Sequence, residues 1–294
     1  MVTLRRKFRL KLPSQTLLLG GRTLIMGVLN VTPNSFSDGG NFLPPEKAVQ
    51  RALQMEREGA DIIDVGAEST RPGSAGVGAE EEWRRLAPVL TALRSRLKIP
   101  ISIDTRKSEI AAKAVESGAE IINDVSGLRH DARVAEVAAR ARVALVLMHM
   151  RGEPETMQQK PFARDVVKDV IRGLRVSVGI ARKAGVLDSR IILDPGIGFG
   201  KSYAQNYELL GKLRELARMG FPLLVGTSRK GFISKALELD GEPAAAEAKI
   251  WGTAGTVAAS ILNGACIVRV HDVGEMVSVA RVVDCVLGRE LVVN

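Results

Sequence analysis

Eight times along this chain a short run of Val, Ile and Leu gives way to polar side chains able to do chemistry. In order these are Asn30; Asp64, followed by Glu68, Ser69, Thr70 and Arg71; Asp104; Asn123 with Asp124; His149; Asp194; Ser228, Arg229 and Lys230; and Arg269 with His271. Carboxylates accept hydrogen bonds and stabilise cations, Lys and Arg neutralise anions, and Asn offers a donor and an acceptor side by side. Any one of them has a structural explanation, since a strand-end Asp usually caps the next helix. Their recurrence points to one shared site, because side chains at the carboxyl ends of parallel strands converge on one mouth.

The elements that must position them are legible as alternation. The apolar runs lie at 23–30, 61–66, 100–104, 120–125, 143–148, 190–194, 222–226 and 265–270, and the segments between them carry apolar residues at helical spacing, as in Ala48, Val49, Ala52 and Leu53. There is also an internal echo. Gly59-Ala-Asp-Ile-Ile-Asp-Val65 matches Gly118-Ala-Glu-Ile-Ile-Asn-Asp-Val125, and Gly185 followed by Ile191-Ile-Leu-Asp194 is a looser copy, each marking a helix end followed by the next strand. Eight such units, each about the size of a strand-helix repeat, predict an α/β fold: a single (β/α)8 TIM-type barrel over 23–294, preceded by a short N-terminal β-hairpin extension over 1–22. A doubly wound open sheet is the alternative.

With 294 residues, 46% apolar and 26% charged, the chain has a globular composition, and disorder is excluded. A net charge of +9 favours anionic partners. Nucleic acid is disfavoured: aromatic residues are only 4%, and the basic cluster Arg5, Arg6, Lys7, Arg9 and Lys11 alternates with apolar residues like a solvated strand face. Cys266 and Cys285 suit neither a disulfide framework nor a zinc site, which fits a reducing cytosol. The uncharged stretch 250–268 contains glycines and Asn263, and reads as a buried helix, a turn and a strand; no membrane span is expected. Two long glycine-rich connections, 31–44 and 67–78, are of the kind that move or bind. Pro195-Gly-Ile-Gly-Phe-Gly-Lys-Ser202 imitates a phosphate-cradling loop, but it opens with proline where that motif needs glycine, so a nucleotide loop is not expected.

Taken together the motifs Met26-Gly-Val-Leu-Asn-Val-Thr-Pro-Asn-Ser-Phe-Ser-Asp-Gly-Gly40, Gly66-Ala-Glu-Ser-Thr-Arg-Pro-Gly73, Ser102-Ile-Asp-Thr-Arg-Lys107, Asn123-Asp-Val-Ser-Gly127, Leu193-Asp-Pro-Gly-Ile-Gly-Phe-Gly-Lys201, Thr227-Ser-Arg-Lys-Gly231 and Arg269-Val-His-Asp272 resemble the dihydropteroate synthases. The resemblance implies condensation of 6-hydroxymethyl-7,8-dihydropterin diphosphate with p-aminobenzoate, giving 7,8-dihydropteroate and diphosphate in folate synthesis. It implies a pterin site of Asp104, Asn123, Met148, Asp194, Phe199 and Lys230, of which Asp104, Asp194 and Lys230 are catalytic. Asn30, Thr70, Arg71, Arg269 and His271 are expected on the diphosphate, with Asn30 touching one Mg²⁺, and Arg71, Pro72, Ser228, Arg229 and Lys230 on p-aminobenzoate. Ser37 and Asp38 belong to the first long loop. The family pattern further implies a cytoplasmic homodimer with small-molecule substrates and neither nucleic-acid nor membrane partners. Asn34 stands where the family usually has Asp, and Gly231 where many members have Ser. Two rival readings share the pterin motifs: a pterin-binding methyltransferase acting on methyltetrahydrofolate, which should lack the first-loop motif and the Arg-x-His pair, and a non-catalytic pterin-binding protein. Arg269 also has a structural alternative, an ion pair with nearby Asp272 or Glu275.

Overall fold

The computed structural model describes residues 5–32, 45–68, 76–152, 156–157, 164–238 and 242–288. A two-stranded antiparallel hairpin, β1 (Phe8–Lys11) and β2 (Thr16–Leu19), comes first. Eight parallel strands follow: β3 (Leu24–Asn30), β4 (Ile62–Gly66), β5 (Ile101–Asp104), β6 (Ile121–Asp124), β7 (Ala144–Met148), β8 (Ile191–Asp194), β9 (Leu224–Val225) and β10 (Ile267–Val270). Each lies beside its neighbour in sequence, and β10 pairs with β3, so the order never reverses as it would in a doubly wound sheet. A parallel bridge from Leu193 to Leu223, with the Leu193 N–H donating to the Pro222 carbonyl at 3.0 Å, joins β8 to the start of β9 and closes the barrel.

Strand side chains alternate between two environments. One set, including Ile63, Val65, Ile103, Ile122, Leu145, Leu193 and Val268, packs outward on the helices. These include α1 (Pro45–Glu58), α2 (Ala79–Arg94), α3 (Ser108–Glu116), α4 (Arg133–Ala141), α5 (Val166–Lys183), α6 (Tyr203–Gly211), α7 (Leu213–Ala217), α8 (Gly231–Ala236), α9 (Ala246–Leu262) and α10 (Val273–Val286). The other set points inward. Its lower members, Met26, Ile62, Ile121, Val146, Ile192 and Ile267, form an apolar cluster with Leu10, Leu12 and Leu19 of the hairpin, which plugs that end. Two residues further along four of these strands stand Asp64, Asn123, Asp194 and Arg269, so one period-2 alternation gives the barrel an apolar floor and a polar mouth.

Two expectations need correction. Arg5 is not part of a solvated face; it is buried against Asp284 and donates to the Thr23 hydroxyl at 2.9 Å, tying the chain's start to α10 and β3. The helix within 250–268 is α9, and only one of its faces is buried: Thr253, Val257, Ser260 and Ile261 face inward while Trp251 is 67% exposed. The lack of charge from Ile250 to Leu262 reflects Ala, Gly and Thr content and not enclosure on all sides.

Candidate active site

At the mouth, Arg269 reaches across from β10 to two carboxylates. Its Nε donates to Asp64 Oδ2 at 2.6 Å and its Nη2 to Asp104 Oδ2 at 2.7 Å. The ion pair of Arg269 is thus with Asp64 and Asp104 and not with Asp272, which is taken by Arg229 at 2.5 Å. Asn123 stands beside Asp104 in register and donates from Nδ2 to the same Asp64 oxygen at 3.0 Å. Room for this cluster comes partly from Gly66, where a Cβ would lie 3.2 Å from the Cβ of Asp104. Burial pushes the Asp104 carboxyl up to about 7, Arg269 opposing the shift and Asp64 adding to it. Burial alone would lower the Arg269 pKa, but Asp64 and Asp104 outweigh it and hold it above the ordinary value.

Asp194, at the end of β8, begins the glycine-rich loop. Its Oδ1 accepts the Gly196 N–H at 2.7 Å, and burial raises its pKa against the pull of Lys230. Lys230 donates to the Ile197 carbonyl and lies 4.7 Å above the Phe199 ring, a cation–π geometry. Burial lowers its ammonium to about 8, with Asp194 opposing. Phe199 packs on a small apolar patch of Val125, Met148, Met150 and Met157, so an apolar wall adjoins the polar cluster.

The loop's resemblance to a phosphate cradle dissolves in the fold. Lys201 is fully buried and donates to the carbonyls of Phe199 and His149 at 2.9 and 3.1 Å, with its Nζ also 3.1 Å from His149 Nδ1. It ties the loop to the end of β7 and presents nothing to a ligand. Burial, with Lys201 adding, lowers His149 to about 3, so the ring is a neutral acceptor and a structural residue. Ser202 and Gln205 form a reciprocal capping box that uses donors at the start of α6. The glycines are dictated by close approach: Gly196 has φ +67°, and a Cβ there would lie 1.8 Å from the His149 carbonyl oxygen. Gly196→Ala is expected to lower stability by about 2–4 kcal/mol, combining left-handed strain with displaced backbone. A thermal melt within 1 °C of wild type would refute this.

Ser228 Oγ lies 3.0 Å from His271 Nδ1, placing both beside Arg269 on adjacent strand ends. Arg229 turns outward to Asp272 at the rim, with its side chain 56% exposed. Asp124 is structural: its carboxylate accepts the N–H groups of Ser126 and Leu128 at 2.8 and 2.7 Å, folding the turn after β6. Asn30 ends β3, half-buried and next to Gly66 in register. Ser37, Asp38, Asn34, Thr70, Arg71 and Pro72 lie outside the described residues.

Residues 26–271 match the family model described as pterin binding enzyme. A dihydropteroate synthase from Synechocystis is 47% identical over 265 residues, covering 90% of each chain. The chain belongs to the dihydropteroate synthase family. Among solved structures, a dihydropteroate synthase from Clostridium difficile in the presence of pteroic acid superposes with a TM-score of 0.84 at 43% identity, covering 92% of this chain and 99% of that one. One from Xanthomonas albilineans with 4-aminobenzoic acid gives 0.86 at 40% identity, covering 96% and 98%.

In this dihydropteroate synthase family barrel, the residues that sequence reasoning left without a role are Asp64 and Lys201. Asp64 had a usable signal. In the echo it stands where Asn123 does, and where Asp194 stands in the looser copy, so the repeat marks all three as inward-facing mouth positions. Lys201 had none, because its burial depends on how the loop folds back onto His149.

Proposed function

We propose that the chain condenses 6-hydroxymethyl-7,8-dihydropterin diphosphate with p-aminobenzoate to give 7,8-dihydropteroate and diphosphate. The observation that carries this reading is a single mouth in which buried acceptors, Asp104, Asn123 and Asp194, adjoin the guanidinium of Arg269, the imidazole of His271 and the hydroxyl of Ser228. A pterin edge bearing N–H donors fits the first set, and a diphosphate fits the second. Relatives solved with pteroic acid and 4-aminobenzoic acid support the same substrates here. Incubation with both substrates and Mg²⁺ should yield dihydropteroate and diphosphate in equal amounts; diphosphate release without dihydropteroate would defeat the reading.

Asp194 anchors the ring's amide and amine edge, Asn123 and Asp104 complete it, Lys230 donates to its carbonyl or N5 side, and Phe199 and Met148 pack on its faces. The C–O bond breaks with its electron pair leaving on diphosphate, and the resulting methylene cation is shared with the electron-rich ring. The ionised Asp104 stabilises that cation. The arylamine nitrogen then forms the C–N bond and sheds its proton, which needs no strong base. Arg269 and His271, with Thr70 and Arg71, hold the leaving diphosphate, while Arg71, Pro72 and the 228–230 segment receive p-aminobenzoate.

Mg²⁺ fits this donor set only with the substrate's help. Among the described residues no group of three or more His, Cys, Asp or Glu could hold a metal, and Asn30 brings one neutral oxygen. An ion held chiefly by phosphate oxygens and water suits that, and when bound it supplies neutralisation of the leaving group. A homodimer is proposed through the outward faces of the packed helices α9 and α10, where Trp251, Val282 and Val286 are 67%, 65% and 64% exposed. Sedimentation velocity at micromolar concentration tests it, a monomer being the adverse result. A cytoplasmic location is proposed because the two cysteines, Cys266 and Cys285, have a spacing that suits neither a disulfide framework nor a zinc site. Among the described residues no helix is long and apolar enough to cross a membrane.

The two shifted groups give the reaction a pH signature. Asp104 acts ionised and so gains function as pH rises through about 7, whereas Lys230 acts protonated and loses it above about 8. The kcat/KM profile should therefore peak between those values. Lys230→Arg, whose guanidinium stays charged, should remove the alkaline limb while lowering the maximum. An alkaline limb that stays in place would release Lys230 from this role.

A further inference from the structure

Asp64 is fully buried on β4, one inward-facing position below the mouth residue Gly66. Its Oδ2 accepts from both Arg269 Nε and Asn123 Nδ2, and among the described residues no donor reaches its Oδ1. Ser102, its register partner on β5, likewise leaves its buried hydroxyl oxygen without a hydrogen bond among the described residues. A buried ion pair with an unsatisfied carboxylate oxygen is a poor means of stabilising a barrel, since apolar residues of similar volume usually do as well or better. The arrangement makes sense as a way to orient its two neighbours.

A carboxylate only accepts, so Asn123 must turn its amide nitrogen toward Asp64 and its carbonyl oxygen away. That orientation decides whether the pterin edge meets an acceptor or a competing donor. The guanidinium of Arg269 is likewise fixed by two carboxylates, Asp64 at Nε and Asp104 at Nη2, leaving the Nη1 corner that neither carboxylate takes. We propose that Asp64 is a positioning residue: through one oxygen it sets the amide of Asn123 for the pterin and the guanidinium plane of Arg269 for the diphosphate. This rests on the substrate assignment above.

The test uses the full chain and calorimetry with two probes, 6-hydroxymethylpterin without diphosphate, and inorganic diphosphate with Mg²⁺. Asp64→Asn should weaken both at least tenfold. Asn123→Asp should weaken only the pterin, also at least tenfold, although it keeps an acceptor facing the ring, because it sets carboxylate against carboxylate. Combining the two substitutions restores a donor–acceptor pair with its polarity reversed, so pterin affinity should return to within about threefold of wild type. Losses in the double variant that equal the product of the single losses overturn the proposal, as does a single Asp64→Asn variant with both affinities intact. Should Asp64→Asn alone fail to fold, the double variant decides against Asn123→Asp: pterin affinity within about threefold of wild type supports the role, and a double variant that binds the pterin no better than Asn123→Asp overturns it. Wild-type protein that binds neither probe would instead bring down the substrate assignment, and this inference with it.

Discussion

Asp194→Asn is expected to weaken pterin binding at least tenfold, and about a hundredfold where two hydrogen bonds are affected, because bonds to a charged group contribute about 1.5–3 kcal/mol each. The structure shows why so small a change is so costly. Asp194 Oδ1 already accepts the Gly196 N–H at 2.7 Å. An amide at this position must give its oxygen to that donor to keep the loop folded. Its NH₂ then faces the ring's own N–H groups, donor against donor. The substitution also removes a charge that supports protonation of Lys230, whose ammonium burial has already lowered to about 8. Calorimetry with a pterin lacking diphosphate is the measurement, and an unchanged affinity would remove Asp194 from its role.

Arg269→Ala should lower kcat/KM for the diphosphate substrate by about a thousandfold, the scale seen when one preorganised charge-stabilising donor is lost. Binding of a pterin without diphosphate should fall far less, since the lost contact is with the leaving group. The variant should also be less stable by about 3 kcal/mol, because removing one partner of a buried ion pair strands the other. Two carboxylates, Asp64 and Asp104, are stranded here. Arg269 pulls the Asp104 pKa down from where burial puts it, so without Arg269 that pKa rises further above about 7. The acid limb of the residual activity should therefore move to higher pH. Arg269→Lys should recover only part of the rate, as one ammonium cannot reproduce a planar fork spanning Asp64 and Asp104. Equal losses for pterins with and without diphosphate would make Arg269 a structural residue.

The sequence by itself determined what depends on neighbours along the chain. Strand–helix alternation follows from the period of the apolar residues, and the eight runs correspond to β3 through β10 with ends differing by one or two residues. The polar mouth is equally local, because two steps along a strand return a side chain to the same face, carrying Ile62 to Asp64 and Ile192 to Asp194. The hairpin at Phe8–Lys11 and Thr16–Leu19 is legible for the same reason.

Tertiary structure decided everything that depends on closure. The bridge between Leu193 and Leu223 turns a row of strands into a ring, and only then does Arg269 face carboxylates 205 and 165 positions away, leaving Asp272, three residues on, to Arg229. Buried Lys201, buried Arg5 and the open face of α9 share that origin. Sequence spacing says which face of its own element a side chain occupies. The group standing opposite is set by how strands stagger and loops fold back when the sheet closes, and no local period carries that information.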